Sequence, residues 1–204
     1  MAMDDNNKQE HLQSLDQVLD DVREHLPYVN EQGDAYELRA LQLLLEVTKA
    51  MHREHDIYRL VTMILDSALS FAEAERAFLM LLDEEGDLRF KMGRTYAGEY
   101  LSEEDFVIST SVVNEALDGQ KPVILADAQR NEHFKMRDSI LDLELRTIMA
   151  APLRTSQELL GLLYVDSRRP LIRYSKHHRN VLASLADQAA IAIFNARKFE
   201  THNG

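Results

Sequence analysis

The sequence contains no cysteine. This absence excludes disulfides, thiolate nucleophiles, iron–sulfur ligation and thioether attachment of a pigment. The sequence also lacks any apolar run that approaches the roughly 20 residues needed to span a bilayer. Its first residues, MAMDDNNKQE, are too acidic and polar for a secretory signal. We therefore expect a cytoplasmic protein that does not engage a membrane.

Positive charge is scarce. The 23 Lys and Arg residues face 35 Asp and Glu residues, which gives a formal net charge of −12. Nucleic-acid affinity depends largely on Lys and Arg that neutralise phosphates, so we expect no nucleic-acid partner. The hydrophobic content of 45% and charged content of 28% are ordinary for a folded protein. A length of 204 residues favours one domain with helical extensions.

Two segments before residue 56 have apolar residues at helical spacing. In the segment EHLQSLDQVLDDVREHLP the apolar residues recur at alternating steps of three and four, and the segment ends at Pro27. This pattern predicts an acidic amphipathic helix, which together with a linker occupies residues 1–33. Residues 34–55 repeat the pattern and are predicted to form a helical, coiled-coil lead-in. The apolar positions of the first segment are Leu12, Leu15, Leu19, Val22 and Leu26.

Helices are also predicted further along the chain. Asp56 is a candidate cap for a helix over DIYRLVTMILDSALSFA, whose apolar stripe is wide enough to cover a sheet. Ser109 or Thr110 caps a short helix that ends near Gly119. A long amphipathic helix begins at Ser175.

The strand pattern begins after residue 74. The stretch AERAFLMLLDEEGDLRFKMGR combines an apolar run, a glycine-containing turn and an alternating run, which predicts a β-hairpin. Residues 121–125 predict a further strand. Residues 146–155 and 158–166 predict a second hairpin that is buried on both faces. Residues 127–144 are predicted to be irregular with one or two helical turns.

Several of these segments, taken in order, resemble the GAF domain, a small-molecule-sensing regulatory module. They are RAFLMLLDEEGDLRF, GQKPVILADAQRNEHF, LRTIMAAPL, ELLGLLYVDSRRP and VLASLADQAAIAIFNARKFE. The likeness covers residues 56–200 and leaves 201–204 as a tail. GAF domains of this kind are found beside bacterial transcriptional activators, histidine kinases and cyclases. This sequence has no P-loop, kinase ATP lid or DNA-binding helix pair, so it resembles a stand-alone sensor or a piece of a larger regulator.

The resemblance implies an α+β, GAF-like and PAS-related fold. Its central antiparallel sheet would have about six strands, with the N- and C-terminal helices on one face and a lidded pocket on the other. Such a pocket is mostly apolar with a few polar anchors. Each implied lining residue can also serve in packing or in a surface ion pair, and methionines fill a cavity as readily as they line it. The implied lining residues are Met92, Arg94, Tyr96, Phe106, Val113, Asp127, Asn131, Phe134, Thr147 and Met149.

The resemblance leaves the cofactor unknown. Cyclic-nucleotide-binding GAF domains carry an Asn-Lys pair where this chain has Asp166-Ser167, so a cyclic nucleotide is not expected. Without cysteine we expect neither a covalently bound bilin nor methionine sulfoxide reductase chemistry. Asp166 is instead expected to end its strand and to pair with Arg168 or Arg169 before Pro170.

Metal binding and catalysis are not predicted. His52 and His55 lie three apart on a predicted helix and His177 and His178 are adjacent, but no third ligand is evident. There is no G-x-S-x-G nucleophile elbow, and Ser109 and its neighbours are better explained as a helix cap. We therefore expect a non-enzymatic protein.

The apolar stripes and the charges of the terminal segments indicate which partners this protein has. Their apolar stripes favour a homodimer through the terminal helices, with a signalling output protein as a further partner. Residues 1–35 hold nine acids and two bases, and residues 167–204 hold seven bases and two acids. This asymmetry predicts that the acidic first helix docks near the C-terminal helix, in its own subunit or its partner; the alternative is a solvated tail. Two functions stay open: a ligand sensor, and a purely structural dimerisation or interaction module whose cavity is filled by its own side chains.

Overall fold

The computed structural model describes residues 45, 48–50, 53–54, 56–170 and 176–203. The predicted helix within 1–33 and most of the lead-in at 34–55 lie outside the described residues. His52 and His55 also lie outside them, and so do the side chains of His177 and His178.

A six-stranded antiparallel sheet forms the centre of the fold, in the order β3-β2-β1-β6-β5-β4. The hairpins β1-β2 and β5-β6 were both predicted, and the pairing of β1 with β6 joins them at the middle of the sheet. The strands are β1 (Arg76–Leu82), β2 (Leu88–Thr95), β3 (Tyr100–Leu101), β4 (Val123–Leu125), β5 (Thr147–Arg154) and β6 (Leu159–Ser167).

Helices lie on both sides of this sheet. On one side, α1 begins after Asp56, whose carboxylate accepts a hydrogen bond from the backbone N–H of Arg59 (2.9 Å). The long helix α4 lies on the same side, whereas α2 and α3 lie on the other. Among the described residues, no helix is both long and apolar enough to cross a membrane. The helices are α1 (Ile57–Ala72), α2 (Thr110–Gly119), α3 (Asp138–Leu141) and α4 (Lys176–Asn203).

The sheet separates two hydrophobic cores. The helical core lies between the sheet and helices α1 and α4, and it includes Leu60, Leu163 and Ile193. The lid core lies on the opposite face beneath α2 and α3, and it includes Phe78 and Ile148. Each buried side chain of this size stabilises the fold by about 1.5–3 kcal/mol. The arrangement confirms the predicted α+β fold, the antiparallel sheet and the placement of the terminal helices on one face.

The central strands contribute to both cores. Along β5, Ile148 and Ala150 point into the lid core, while Met149 and Ala151 point into the helical core. Successive side chains of a strand point to opposite faces, so a strand covered on both faces is apolar throughout. This explains why the pattern of β5 and β6 is continuous rather than alternating.

A β-bulge in β2 interrupts the alternation. Leu79 of β1 lies opposite Met92 and Met80 lies opposite Phe90, so Lys91 is an extra residue in β2. As a result, Phe90 packs against the lid core while Met92 belongs to the helical core. Without the bulge, the two side chains would point to the same face.

Candidate functional site

The lid face of the sheet is the candidate site. We call residues 102–119 and 127–145 the lid. The lid is closed onto the sheet, because its apolar side chains are buried against β1, β5 and β6. The lid side chains that are buried in this core are Val112, Val113, Ala116, Ala128, Phe134, Ile140 and Leu145.

Four aromatic rings lie beneath one end of the lid. The ring centroid of Phe78 is 5.5 Å from that of Phe106 in an edge-to-face contact, and 6.3 Å from that of Tyr164. Phe90 completes the group, with its centroid 5.2 Å from that of Phe106. Offset and edge-to-face ring pairs at these distances are favourable beyond the area that they bury. Much of the space beneath this end of the lid is therefore occupied by the protein's own side chains.

A buried ion pair lies beside the rings. The Arg76 guanidinium donates from Nε to Oδ1 of Asp166 (2.9 Å) and from Nη2 to Oδ2 (2.7 Å). Asp166 is only 1% exposed, so burial raises the pKa of its carboxyl, and the Arg76 guanidinium opposes that rise. A bidentate contact of this kind favours the charged form of the carboxylate.

The predicted partner of Asp166 was wrong. The backbone N–H of Arg168 donates to the carboxylate of Glu75 (2.9 Å), and the Arg169 guanidinium lies 3.2 Å from the same carboxylate. The pairing of β1 with β6 instead places Arg76 directly opposite Asp166. A partner from another strand thus replaces the local partners that the sequence suggested.

The ion pair and a neighbouring tyrosine hold the chain that leads into α2. Arg76 donates from Nη2 to the carbonyl oxygen of Val107 (3.2 Å). The hydroxyl oxygen of Tyr164 accepts a hydrogen bond from the backbone N–H of Ser109 (3.1 Å), the residue before α2. Tyr164 is fully buried, and burial raises the pKa of its hydroxyl well above the ordinary range. We call Arg76, Tyr164 and Asp166 the buried polar cluster; it links the sheet centre to the lid.

A surface pocket of about 390 Å³ opens on the lid between α2 and the turn at 131–137. Phe134 forms its floor and is 5% exposed. The rim carries hydroxyl, carboxylate, imidazole and guanidinium groups, which suit a small polar molecule with an anionic part. The rim residues are Ser111, Glu115, His133 and Arg137.

Three of the predicted lining residues belong to the lid core. Phe106 packs between Phe78 and Phe90. Val113 and Phe134 are buried beneath the lid, and Phe134 also reaches the surface pocket. The structure thus brings these three to the lid face on which the sequence placed them.

Three others make polar contacts in or beside the second lid segment. Both oxygens of Asp127 accept from the Arg146 guanidinium (2.6 Å each), and this contact lowers the pKa of the Asp127 carboxyl. The Asn131 side chain accepts from the backbone N–H of His133 (3.0 Å), which shapes the turn beside the pocket. Thr147 Oγ1 donates to the carbonyl oxygen of Arg169 (2.6 Å).

The remaining four predicted residues lie away from the lid face. Met92 and Met149 belong to the helical core, because the bulge in β2 and the alternation along β5 turn them toward α1 and α4. Arg94 also faces α1, where its Nε lies 2.7 Å from Oδ1 of Asp66. Tyr96 lies in the turn after β2 and is 69% exposed.

The buried polar cluster was not predicted from the sequence. The sequence does contain a sign of it, which is a charged residue at one end of each of two apolar runs. Arg76 begins the run RAFLMLL, and Asp166 lies near the end of the run LLGLLYVDS. Antiparallel strands bring the start of one run beside the end of the other. The sequence did not show that these two runs are neighbours.

Metal ligation finds no support within the described ranges. Among these residues, no group of three or more His, Cys, Asp or Glu side chains is arranged to hold a metal ion.

Comparisons with known proteins point to one family. The profile of the GAF domain matches residues 54–193, which is more than half of the chain. No curated protein matches the sequence.

Solved structures share the fold at low sequence identity. A GAF domain from a phosphoenolpyruvate-protein phosphotransferase of Coxiella burnetii has a TM-score of 0.61 and 16% identity, covering 81% of this chain and 98% of that chain. The GAF domain of a two-component sensor histidine kinase from Bacillus halodurans has a TM-score of 0.53 and 16% identity, covering 72% and 99%. Free methionine-R-sulfoxide reductase from Neisseria meningitidis, in complex with its substrate, has a TM-score of 0.56 and 16% identity, covering 84% and 95%.

Proposed function

The chain belongs to the GAF domain family, and from that premise we propose that it is a non-enzymatic, cytoplasmic regulatory domain that binds a small molecule at the lid. The observation that carries the proposal is the lid pocket with its polar rim and its Phe134 floor. The pocket adjoins α2, which the buried polar cluster ties to the centre of the sheet. A ligand there would contact the part of the lid that is most directly connected to the sheet.

The signal is proposed to travel through β6. If the lid has two conformations, a ligand that binds one of them more tightly increases the population of that conformation. Such a shift changes the contacts of Val107 and Ser109 with Arg76 and Tyr164. Tyr164 lies in β6, and the chain continues from β6 into α4. Binding at the lid is thereby coupled to the C-terminal helix.

The partners of this domain are proposed from the same helices. We propose a homodimer through the terminal helices, whose relative position a signalling output protein reads. The sensor histidine kinase among the structural neighbours supports a sensing role by analogy of fold, and the reductase solved with its substrate is an example of this fold holding a small molecule. The ligand class follows from the pocket rim rather than from either neighbour.

A second candidate is a structural module that binds no ligand. The ring cluster of Phe78, Phe90, Phe106 and Tyr164 favours this alternative, because these side chains fill the interior beneath one end of the lid. The surface pocket on the lid favours the sensor.

Native mass spectrometry of the freshly purified full chain, combined with thermal shift, separates the two functions. The panel would contain amino acids, organic acids, nucleotides and sugar phosphates. For a sensor we expect either a bound compound or at least one compound that raises the melting temperature. His133→Gln and Arg137→Gln, both at exposed rim positions, should reduce that rise, while Arg59→Gln on the opposite face should preserve it.

The structural alternative predicts the opposite results. The native mass would equal that of the bare chain, and no compound of the panel would raise the melting temperature. Phe106→Ala would then open an apolar space the size of one phenyl ring, so that benzene would stabilise the variant and not the parent protein.

A further inference from the structure

A groove lies on the helical side of the sheet, on the face opposite the lid. Helix α4 covers β5, but the edge beyond it, at β4 and the β5-β6 turn, lies beside open space of about 880 Å³. We call this space the α4 groove. Its lining includes Asp187, Ile191 and Phe194 from α4, and Lys121, Pro152 and Arg154 from the sheet side.

The α4 groove has the dimensions of a helix-docking surface. On α4 the lining runs from residue 183 to residue 195, a length of about 18 Å at 1.5 Å per residue. Ile191 is 40% exposed and Phe194 is half-buried, so apolar surface remains accessible along this stretch. Packed helices lie about 8–10 Å apart, so a second helix along this stripe would complete the helical layer over β4.

Charge in the α4 groove favours an acidic occupant. Among the described residues that line it, Lys121 and Arg154 are the bases and Asp187 is the acid. Burial raises the pKa of the Asp187 carboxyl and Arg154 opposes the rise, so one of the two bases already faces a carboxylate. An incoming acidic helix would therefore meet net positive charge.

We propose that the α4 groove is the docking site for the acidic amphipathic segment at residues 10–26 of the same chain. That segment has an apolar stripe from Leu12 to Leu26, a length of about 21 Å if helical. Residues 10–26 hold five acids and one base. The stripe matches the groove in length, and the net negative charge of the segment is complementary to the net positive charge of the groove.

The chain enters the described domain at the end of the sheet where the groove lies. Tyr58, near the start of α1, lies beside Lys91 of β2, and Asp66, further along α1, binds Arg94. The N-terminus of α1 therefore points toward the end of the sheet that carries the β1-β2 turn. That end of the sheet also carries the β5-β6 turn, because Leu81 pairs with Gly161. Before the first described helical residue, a linker as long as residues 27–44 has a root-mean-square span of roughly 23 Å at about 5–6 Å × √n, which exceeds the distance across a few strands.

A second copy of α4 is a poorer occupant. Helix α4 itself holds four bases and two acids, so a second copy in the groove would bring net positive charge to a lining that is already net positive. The acidic segment removes that repulsion, which is why the proposal commits to it.

The absence of cysteine makes the test direct, because two engineered cysteines are the only thiols in the chain. Ser14→Cys would be combined with Gln157→Cys at the rim of the α4 groove in the full-length protein. The matched control combines Ser14→Cys with Met136→Cys, which is 77% exposed on the lid. A short bismaleimide should join the groove pair within one chain, giving a cross-linked species of monomer mass at several-fold higher yield than the control pair.

Charge variants test whether the positive charge of the α4 groove contributes to docking. Arg154→Glu should lower the cross-linking yield several-fold, and Asp187→Asn should maintain or increase it, because the two changes move the groove charge in opposite directions. Both positions are at least partly exposed, so circular dichroism is expected to show an unchanged fold. Added salt should lower the yield of the parent groove pair.

Three results would overturn the proposal. The first is equal yield for the groove and control pairs. The second is a groove cross-link only at dimer mass, which would assign the occupant to another copy. The third is a deletion of residues 1–33 that leaves amide hydrogen exchange at 183–195 unchanged, since removal of a docked helix must expose that surface.

Discussion

Arg76 and Asp166 lie directly opposite each other across the β1-β6 pair, and both carboxylate oxygens of Asp166 accept from the one guanidinium. The Asp166 carboxylate is almost fully buried, whereas the Arg76 side chain is 26% exposed. The two partners therefore do not depend on each other equally. Arg76 has access to water without Asp166, but Asp166 without Arg76 is a buried carboxylate that has lost its counter-charge.

This asymmetry predicts a large cost for Arg76→Met. We expect the free energy of unfolding at neutral pH to fall by about 3–5 kcal/mol, the range for breaking a buried ion pair. Urea denaturation measures the change. Adding Asp166→Asn in the same chain should recover much of the loss, because it removes the stranded charge. A double variant no more stable than Arg76→Met would contradict this account.

The Arg76→Met variant should also have a characteristic pH dependence. Burial already raises the pKa of Asp166 in the folded state above its ordinary value of 3.8, and removal of Arg76 raises it further. The folded variant therefore takes up a proton more readily than the unfolded chain, so its stability rises as pH falls toward the folded pKa. The deficit relative to the parent protein should be smaller at pH 5 than at pH 7. A deficit that is constant over this range would exclude the explanation.

Tyr164→Phe tests the link between sheet and lid. The substitution removes the acceptor for the buried N–H of Ser109 and should cost about 1–3 kcal/mol. Hydrogen exchange should accelerate at the first turn of α2 more than in β5. Tyr100→Phe is the matched control, because the Tyr100 ring is 64% exposed and surface changes are usually within about 0.5 kcal/mol. Uniform acceleration across the domain would show that Tyr164 acts only on global stability.

Gly161→Ala should be among the most damaging small substitutions. A β-carbon at this position would overlap the carbonyl oxygen of Met80 and lie 2.9 Å from Cα of Leu81, both of which are backbone atoms of the adjacent strand. Relief requires β1 and β6 to separate, so we expect a loss of about 3 kcal/mol or more. In Gly119→Ala the nearest atoms belong to the flexible Lys121 side chain, and the helical position should gain up to about 1 kcal/mol. Comparable stability of the two variants in urea would refute the steric argument.

Asp127 should contribute to the pH dependence of stability in the opposite direction from Asp166, and Asp127→Asn tests this. The Arg146 guanidinium lowers the pKa of Asp127 below its ordinary value of 3.8, so its contribution is present above that pH and is lost as pH falls through the folded pKa. The variant should be less stable than the parent at pH 7, with the difference shrinking below pH 3.8. Thermal unfolding between pH 2 and pH 7 measures this. A difference that grows in acid would reverse the inferred direction.

Local patterns accounted for most of the fold. Asp56 caps α1 as expected, and the hairpins β1-β2 and β5-β6 follow from short apolar runs joined by turns. These features depend on residues close in sequence, so the chain itself carries the signal. The pairing of β1 with β6 depends on contacts between residues 90 positions apart, and no local pattern specifies it.

The candidate site was harder to predict for the same reason. Phe106, Val113 and Phe134 were placed on the lid face, where they lie. Met92 and Met149 were assigned to the pocket, but a single extra residue in β2 and the alternation of a doubly buried strand direct them to the helical core. The periodicity of a strand shows which residues share a face, but it does not show which core that face meets. One bulge moves all later residues of the strand to the opposite face.

The double burial of β6 has a consequence for how this molecule tolerates change. Successive residues of the strand, such as Leu163 and Tyr164, are packed in opposite cores. A change of side-chain volume in one core therefore shifts the backbone of β6, which also carries the side chains of the other core. Substitutions that enlarge or shrink one core should therefore be compensated by changes in the other core along β6. We expect pairs of neighbouring positions in β6 to vary together in evolution, even though their side chains never touch.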